Sequence, residues 1–461
     1  MKKSFILIVV SALLIMPFSA FAQSGGEKNS LFSLGLGFGM GGLYNGEYTP
    51  TGTESKTLIY QSLGLHPEFR TEKFDMALDL VVRFRFDGGD NEDTFEVRDE
   101  DWRTHGAWEI LNLYLPKIRS ARYGTKGDPL AVRLADIDAI TFGNGFIVSS
   151  YTNTLFQPEN RILGAILDID GSIVDIPYFG IEAFTANAAR FDLAAGRLYA
   201  YPLAGFDLSI LKGFEIGGTF AMDRDPVYFA KRYAMYNSTL RGLWNDDTPV
   251  HIFGLDFSVP LLTDPAFSFT LFGDRVSQNS HVGWMAGASG RILNAVTWEG
   301  QFRVLDDDFI PEYFDTSYDL YRPEKYAAFD AGSSGGTVAE GCYAYLGSLG
   351  LSLLDDRIAV KLVSEGPVWS AENRLYSWRG ILELKQGLIP YFSFDVLYDK
   401  KNMAGVDDFT AWKQSSLVRA RFHYHTGPVV LSLVYMLRYM PTDFEKDRQV
   451  VMGIEGRIRL Y

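Results

Sequence analysis

The chain has 461 residues, of which 47% are hydrophobic and 15% aromatic, and its formal net charge is −14. The single cysteine, Cys342, excludes an intrachain disulfide framework. The acidic balance, without a basic stripe that would neutralise phosphates, argues against nucleic acid as a partner.

The amino terminus has the features of a cleavable secretory signal. Two lysines precede an apolar run over residues 5–16, and residues 20–22 (AFA) supply the small-residue pattern that signal peptidase needs. Residues 1–22 are therefore predicted to be a signal peptide and residues 23–461 the exported domain. No later stretch approaches the ~18 continuous apolar residues of a transmembrane helix.

Residues 74–87 alternate between apolar and mainly charged side chains. Because neighbouring side chains of a strand point to opposite faces, one face can meet hydrocarbon while the other lines a polar space. The same division recurs in segments that begin at Phe253, Phe267, Val296, Tyr345, Phe392, Leu431 and Ile454. The strands of a soluble sandwich or barrel also alternate between apolar and polar side chains. The predicted signal peptide favours the membrane barrel.

The connections between these segments alternate between tight and long. Tight connections are predicted at 261–265, 293–295, 354–356, 386–387 and 426–428, and longer ones at 43–56, 87–106, 150–161, 223–248, 275–280, 306–340, 365–372 and 400–410. Bacterial barrels have short periplasmic turns and longer outer loops. The predicted fold is all-β, a single transmembrane antiparallel β-barrel of about 20 strands, within a range of roughly 16–20. A barrel this wide leaves an aqueous lumen unless loops plug it.

With this strand pattern and signal peptide, the chain resembles bacterial outer-membrane β-barrel proteins of the porin type. Residues 306–315 (DDDFIPEYFD) also resemble, faintly, uncharacterised spirochaete-type barrel proteins. The resemblance implies an outer-membrane location, contact with outer-membrane lipid, insertion by the barrel-assembly machinery and passage of small polar solutes. Tyr461 departs from the usual family ending, because it is out of phase with the lipid-facing Ile458 and Leu460.

Charged residues at the polar phase of the strands are candidates for lining the pore. They are Asp75, Asp79, Arg83, Arg85, Glu299, Arg303, Arg419, Arg421, Arg457 and Arg459. Opposing rows of fixed charge orient and sort polar solutes. The alternative is that these residues pair across neighbouring strands and only solvate the lumen. The arginines on the two late strands, 411–425 and 448–461, predict a positive patch on one wall.

The long connection over residues 306–340 is rich in aromatic residues. Phe314, Tyr318 and Tyr321 fall at helical spacing and are candidates for a constriction, with Pro311 at the start of a short helix. Two arrangements remain open, a segment that folds into the lumen and a lid on the barrel rim. Residues 133–161 also break the two-residue period, which indicates a second inward excursion.

Three other patterns carry weaker predictions. The glycines at 37, 39 and 42 fit a dinucleotide fingerprint but lack a following helix, so they are predicted to relieve crowding in the wall. The acids between Asp87 and Asp101 match no calcium loop, and a solvated surface is predicted there. His423 and His425 share a face without a nearby acid or thiol, so neither a metal nor a cofactor is predicted.

The predicted function is passive diffusion of small hydrophilic solutes, without catalysis. Two alternatives from other classes stay open. One is a surface interaction protein or adhesin, whose acidic loops bind host or matrix molecules. The other is a membrane-embedded hydrolase with a serine and a histidine, although no nucleophile motif supports it.

Overall fold

The computed structural model describes residues 31–45, 56–89, 92–103, 106, 109–158, 160–229, 248–264, 266–333, 338–410, 415–439 and 448–460. The predicted signal peptide, Tyr461 and most of the predicted loop 223–248 lie outside the described residues. Within the described ranges, no helix is long and apolar enough to cross a membrane.

Strand segments account for most of the described chain. They are β1 (Phe32–Asn45), β2 (Lys56–Arg70), β3 (Phe74–Leu78), β4 (Leu80–Gly89), β5 (Glu92–Val97), β6 (Ile118–Tyr123), β7 (Leu130–Ala135), β8 (Gly164–Asp170), β9 (Phe179–Thr185), β10 (Leu193–Ala200), β11 (Glu215–Asp223), β12 (Val250–Thr263), β13 (Phe267–Gln278), β14 (His281–Ile292), β15 (Val296–Leu305), β16 (Cys342–Leu353), β17 (Ile358–Pro367), β18 (Tyr376–Ile389), β19 (Phe392–Met403), β20 (Ser416–Thr426), β21 (Val429–Tyr439) and β22 (Arg448–Arg459).

The strands form one closed antiparallel barrel of 20 strands. Consecutive wall strands pair with each other, and β22 pairs with β1 to close the sheet, for example at Leu36 and Ile458. Two wall positions are shared by two segments each. β3 and β4 share one position, and both pair with β2. β5 and β6 share the next position, where β5 pairs with β4 and β6 pairs with β3. The predicted strand number and closure are confirmed.

The two ends of the barrel differ in the length of their connections. Short connections join β12 to β13, β14 to β15, β16 to β17, β18 to β19 and β20 to β21 at one end of the barrel, where β1 starts and β22 ends. The strand ends that the long connections 136–163, 224–249, 306–341 and 404–415 join lie at the other end. Three predicted connections are wrong in detail. Residues 279–280 form a tight turn, and β5 occupies part of 87–106. The tight turn predicted at 386–387 lies at 390–391 instead, because β18 continues to Ile389.

Three α-helices lie wholly within the described residues: α1 (Glu109–Tyr114), α2 (Ser209–Lys212) and α3 (Tyr318–Ser333). Short 3-10 turns occupy Asp99–Asp101, Leu115–Lys117, Gly171–Val174 and Val406–Thr410. α1 belongs to a stretch between β5 and β6, α2 to the short-turn end, and α3 to the connection 306–341.

The predicted alternation separates an apolar exterior from a packed and polar interior. On β12, Phe253 and Leu255 are exposed on the outside, whereas Ile252 is 1% exposed and faces inward. The same division holds on β21 and β22, where Leu431 and Ile454 are exposed and Met436 and Val451 are buried. An apolar outer surface around a closed barrel is the arrangement that lipid requires.

The core of the molecule lies inside the barrel, where two connections of the long-loop end fold inward. Residues of 136–163 and 306–341 pack together against the inner faces of β9–β16. A second cluster joins the same two connections to residues of β19–β22 on the opposite wall. Together the described residues of the two connections form a plug, hereafter the lumen plug.

Candidate transport site

The two parts of the lumen plug are joined by backbone hydrogen bonds. The amide of Glu312 donates to the carbonyl of Phe146 and that of Phe314 to Ile147, each at 3.0 Å. The amide of Ser149 donates to the carbonyl of Phe314, also at 3.0 Å. This short parallel bridge satisfies backbone groups that would otherwise be buried without partners.

The aromatic residues predicted to form a constriction lie in this plug. Phe314 and Tyr318 are fully buried, and Tyr321 packs at the edge of the second cluster. These residues therefore fold into the lumen and do not form a lid on the barrel rim. The predicted helix start at Pro311 is wrong, because α3 begins at Tyr318 and contains Pro323.

Arg322 of α3 anchors the plug to the rim of the wall. Its Nε and Nη2 donate to the two carboxylate oxygens of Asp223, each at 2.5 Å, and Nη2 lies 3.4 Å from Asp192. The hydroxyl of Tyr318 donates to the same Asp223 at 2.6 Å. Because Arg322 is 2% exposed and Asp223 0%, this is a buried, bidentate pair.

Wall arginines hold the plug at two further points. The buried Arg303 of β15 donates to Glu312 of the plug at 2.7 Å and to Glu365 of β17 at 2.8 Å. On the opposite side, Arg438 of β21 donates to the carbonyl of Leu155. The predicted lumen residue Arg303 thus lies on the inner face but serves as a plug anchor.

Carboxylates of the connection 306–341 have shifted pKa values. Although burial raises it, the ammonium groups of Lys325 and Lys401, at 3.1 and 3.0 Å, hold the pKa of Asp315 well below its usual range. Burial raises the pKa of Glu324 to about 7. Burial likewise raises the pKa of Asp319 to about 7.

These two raised pKa values predict a pH-dependent plug. An acid whose pKa is higher in the docked state favours docking at low pH, and that stabilisation is lost as pH rises through about 7. Opening events in single-channel recordings should therefore be rarer at pH 5 than at pH 8. The double substitution Asp319→Asn with Glu324→Gln should flatten the dependence, and an unchanged pH profile in that variant would contradict it.

Beside the plug, the inner face of β1 carries almost no side chains. Gly35, Gly37, Gly39 and Gly41 face inward, since they alternate with outward residues such as Phe38. A Cβ atom on Gly37 would lie 2.3 Å from Nε2 of His66, so a larger residue there would displace the His66 ring. The prediction that the glycines relieve crowding fits Gly37 and Gly39, whereas Gly42 is at the outward phase.

The space over this glycine stripe is a cavity of about 340 Å³, hereafter the lumen cavity. It extends along β1 from Gly37 to Leu43, roughly 20 Å at the usual rise of a strand. Its walls are β1, β2, β4, β6 and β20–β22, together with residues 136, 138, 154, 157, 158 and 161 of the plug. Its basic lining residues are Arg83, Arg119, Arg161, Arg419, Arg421 and Arg457, and its acidic ones are Asp79, Asp136, Asp138 and Glu455.

Three of the four arginines predicted on the two carboxyl-terminal strands, Arg419, Arg421 and Arg457, lie in this cavity, and each is paired with an acid. Asp138 of the plug lies 3.6 Å from both Arg419 and Arg421. Arg457 lies 2.6 Å from Glu455 and 3.6 Å from Asp79. The predicted positive patch is therefore interleaved with acids, and the excess of arginine over acid is spread over the cavity.

The other predicted lumen residues lie on the inner face and pair nearby. Asp75 accepts from Arg122 at 2.8 Å, and Arg85 donates to Glu96 at 2.6 Å. Glu299 accepts from the side-chain Nε2 of Gln301, and Arg459 donates to Glu68 at the short-turn end. Arg83 donates to Asp101 at 2.9 Å. Only the subset 79, 83, 419, 421 and 457 comes together in the lumen cavity.

The weaker sequence patterns show no ligand geometry in the described chain. His423 contacts Ser432 at 2.8 Å and His425 contacts Ser393 at 3.0 Å, with the two rings 6.2 Å apart. Across the described residues, no group of three metal-ligating side chains gathers. Of the acidic stretch, Asp90 lies outside the described residues, and Asp101 is buried between two arginines.

Sequence reasoning missed three parts of the site. Arg161 enters the cavity from the plug and contacts Asp136 at 3.1 Å and Asp79 at 3.5 Å. His66, 3% exposed, places Nδ1 2.6 Å from Asp79. The third is the free space over β1, which the run of glycines at one phase of a strand could have indicated.

A closed, even-stranded barrel with an apolar outside and a charged lumen is the architecture of bacterial outer-membrane β-barrels. No protein-family model matches the chain, and no curated protein matches it. Solved structures with some likeness include OccK5 (OpdH) of Pseudomonas aeruginosa, at 8% identity and TM-score 0.34, covering 93% of this chain and 98% of that one.

Two further solved structures show similarly low likeness to the chain. Wzi of Escherichia coli, described as a carbohydrate-binding barrel involved in group 1 capsule assembly, has 10% identity and TM-score 0.30, covering 94% of this chain and 84% of that one. CdiB of Acinetobacter baumannii has 9% identity and TM-score 0.25, covering 94% of this chain. The chain spans 60% of the length of CdiB.

Proposed function

We propose that this barrel is a channel for the passive diffusion of small hydrophilic solutes across the outer membrane, with a preference for anions. The observation that carries the proposal is the charged lumen cavity that remains beside the plug. Its volume of about 340 Å³ is near the lower limit of ligand pockets, which suits small solutes.

The charges of the cavity support the anion preference. Six arginines and four acids line it, although the chain as a whole carries a net charge of −14. Inside a low-dielectric wall, this local excess raises the concentration of anions relative to cations. Diffusion through such a passage follows the solute gradient and requires no catalytic group.

A planar bilayer recording tests the proposal. The purified barrel should form channels whose reversal potential in a KCl gradient indicates anion preference, and raising the salt concentration should weaken that preference by screening. Substitution of Arg419, Arg421 and Arg457 by Gln leaves three arginines against four acids in the cavity. The reversal potential should then shift towards cation preference.

Two controls make this test decisive. Arg459→Gln removes a charge outside the lumen cavity and should shift the reversal potential less than any single change inside it. Assembly of each variant is checked by the heat-dependent gel shift of folded barrels. An assembled wild-type barrel that does not conduct would contradict the channel and favour an interaction barrel.

A further inference from the structure

A second cavity lies between the lumen plug and β15–β19, at the long-loop end of the barrel. Its volume is about 320 Å³, and none of its lining residues also lines the lumen cavity. The ends of β15–β19 form one side of it, and described residues of the connection 306–341 form the other. This cavity, hereafter the mouth pocket, is therefore separate from the proposed solute pathway.

One face of α3 borders the mouth pocket. Four residues at the three- and four-residue spacing of a helix line the pocket together: Tyr321, Glu324, Lys325 and Ala328. Arg322 points instead to the rim of the wall, where its bidentate pair anchors the helix. The anchor therefore fixes which face of α3 the pocket receives.

The basic groups of the mouth pocket already have protein partners. The ammonium groups of Lys325 and Lys401 lie 3.1 and 3.0 Å from Asp315. The guanidinium of Arg303 is held between two glutamates at 2.7 and 2.8 Å. That of Arg374 donates to three backbone carbonyls at 2.7, 2.8 and 3.0 Å. An anion that entered the pocket would have to displace one of these contacts.

The acid Glu324 differs from the other two acids of the pocket. Asp315 and Glu365 both have lysine within 4 Å, whereas no hydrogen bond or ion pair within the described chain reaches the carboxylate of Glu324. Burial raises the pKa of Glu324 to about 7, so the group is ionised at pH 8. A partly desolvated carboxylate is costly unless a cation accompanies it. The charge that a ligand can neutralise here is therefore negative.

The surroundings of Glu324 are mainly apolar. Tyr321 lies one helical turn before it, and Leu305 faces the pocket from the end of β15. Two further lining residues, Val338 and Leu375, are 39% and 47% exposed. An aromatic ring beside a carboxylate suits an ammonium group, and aliphatic side chains suit its apolar substituent.

We propose that the mouth pocket binds a small organic amine, in its ammonium form, that carries an apolar body. The ammonium group pairs with the carboxylate of Glu324 and lies beside the ring of Tyr321. The apolar body lies against Leu305, Val338 and Leu375. A pocket of about 320 Å³ is near the lower limit of ligand pockets, which suits a ligand with a single ring.

The single cysteine of the chain provides a probe of occupancy, because Cys342 of β16 lines the same pocket. The assembled barrel is treated with methyl methanethiosulfonate in amine-free buffer at pH 8, and modification of Cys342 is followed by mass spectrometry. 2-Phenylethylamine should slow the modification in a saturable manner. Its neutral isostere 2-phenylethanol should need a concentration about tenfold higher, because only the ammonium group can pair with Glu324.

Two variants locate the binding group. Glu324→Gln should raise the half-protecting concentration of 2-phenylethylamine about tenfold, because a charge-assisted hydrogen bond is lost. It should leave the weaker protection by 2-phenylethanol unchanged. Glu372→Gln is the matched control, since Glu372 is exposed at the same end of the barrel and does not line the pocket. Isothermal titration calorimetry measures the same affinities without the thiol reaction.

Equal protection by the amine and the alcohol, or an affinity that Glu324→Gln leaves unchanged, would overturn the assignment. Assembled wild-type protein that shows neither protection nor heat of binding would overturn it as well. If Glu324→Gln does not assemble, wild-type protein is compared with 3-phenylpropanoate, and equal protection by this anion would refute the site. The channel is tested separately by the reversal potential, so either proposal can fail while the other stands.

Discussion

Replacing Arg322 with methionine is expected to release the lumen plug and produce the largest functional change of any single substitution in the chain. The substitution leaves Asp223 and Asp192 buried at the rim without their shared cation. Breaking one side of a buried pair costs roughly 3–5 kcal/mol, which is more than a hundredfold in the docking equilibrium. The undocked segment would leave a wide lumen between the strands.

Single-channel conductance and liposome swelling with sugars of graded size measure this release. Arg322→Met should show larger conductance and admit larger sugars than wild type. Adding Asp223→Asn should restore part of the docking, because it removes the carboxylate that the loss of Arg322 leaves buried without a counterion. Arg357→Met, at a short turn, is the matched control and should behave as wild type. An assembled Arg322→Met barrel with wild-type conductance would show that the plug has other, sufficient anchors.

The face of each strand residue could be predicted from the sequence because the two-residue period is a local property. Asp79, Glu299 and Arg303 face inward because their neighbours in the chain are apolar and face lipid. The barrel and its closure follow from the same pattern repeated. The long loop predicted at 275–280 was wrong, because β13 continues to Gln278 and only residues 279–280 form the turn.

The partners of the inward residues could not be predicted, because they are distant in the chain. Arg322 and its partner Asp223 are separated by 99 residues. The bridge between Val148 and Phe314 joins two connections that carry no strand period at all. The strand β5 was missed for a different reason. β5 is only six residues long, and the long connection predicted at 87–106 contains it.

These long-range contacts change the roles of the residues that were predicted to line the pore. Arg303 was predicted to line the pore, and it does face inward, but Glu312 and Glu365 occupy its guanidinium. Arg419 and Arg421 do reach the free cavity, and an acid from the plug lies between them. Selectivity therefore depends on where the plug lies as well as on the wall.

The second large effect is expected from a charge on the outer face, because it tests the lipid contact on which the membrane assignment depends. Leu433 faces outward beside the exposed Phe422 and Ile454, with which it pairs in register. An arginine there would cost roughly 2–4 kcal/mol if the position lies near the bilayer midplane. Assembly of Leu433→Arg into liposomes should fall accordingly.

The adjacent residue on the same strand provides the control. Ser432 faces the lumen, where it pairs in register with Glu455 and contacts His423 at 2.8 Å. An arginine at 432 has water and a carboxylate within reach, so Ser432→Arg should assemble almost as wild type. Urea titration of the folded fraction compares the two variants. Equal tolerance of arginine at 432 and 433 would mean that the apolar exterior does not contact lipid, since only a hydrocarbon environment distinguishes the two faces of this strand.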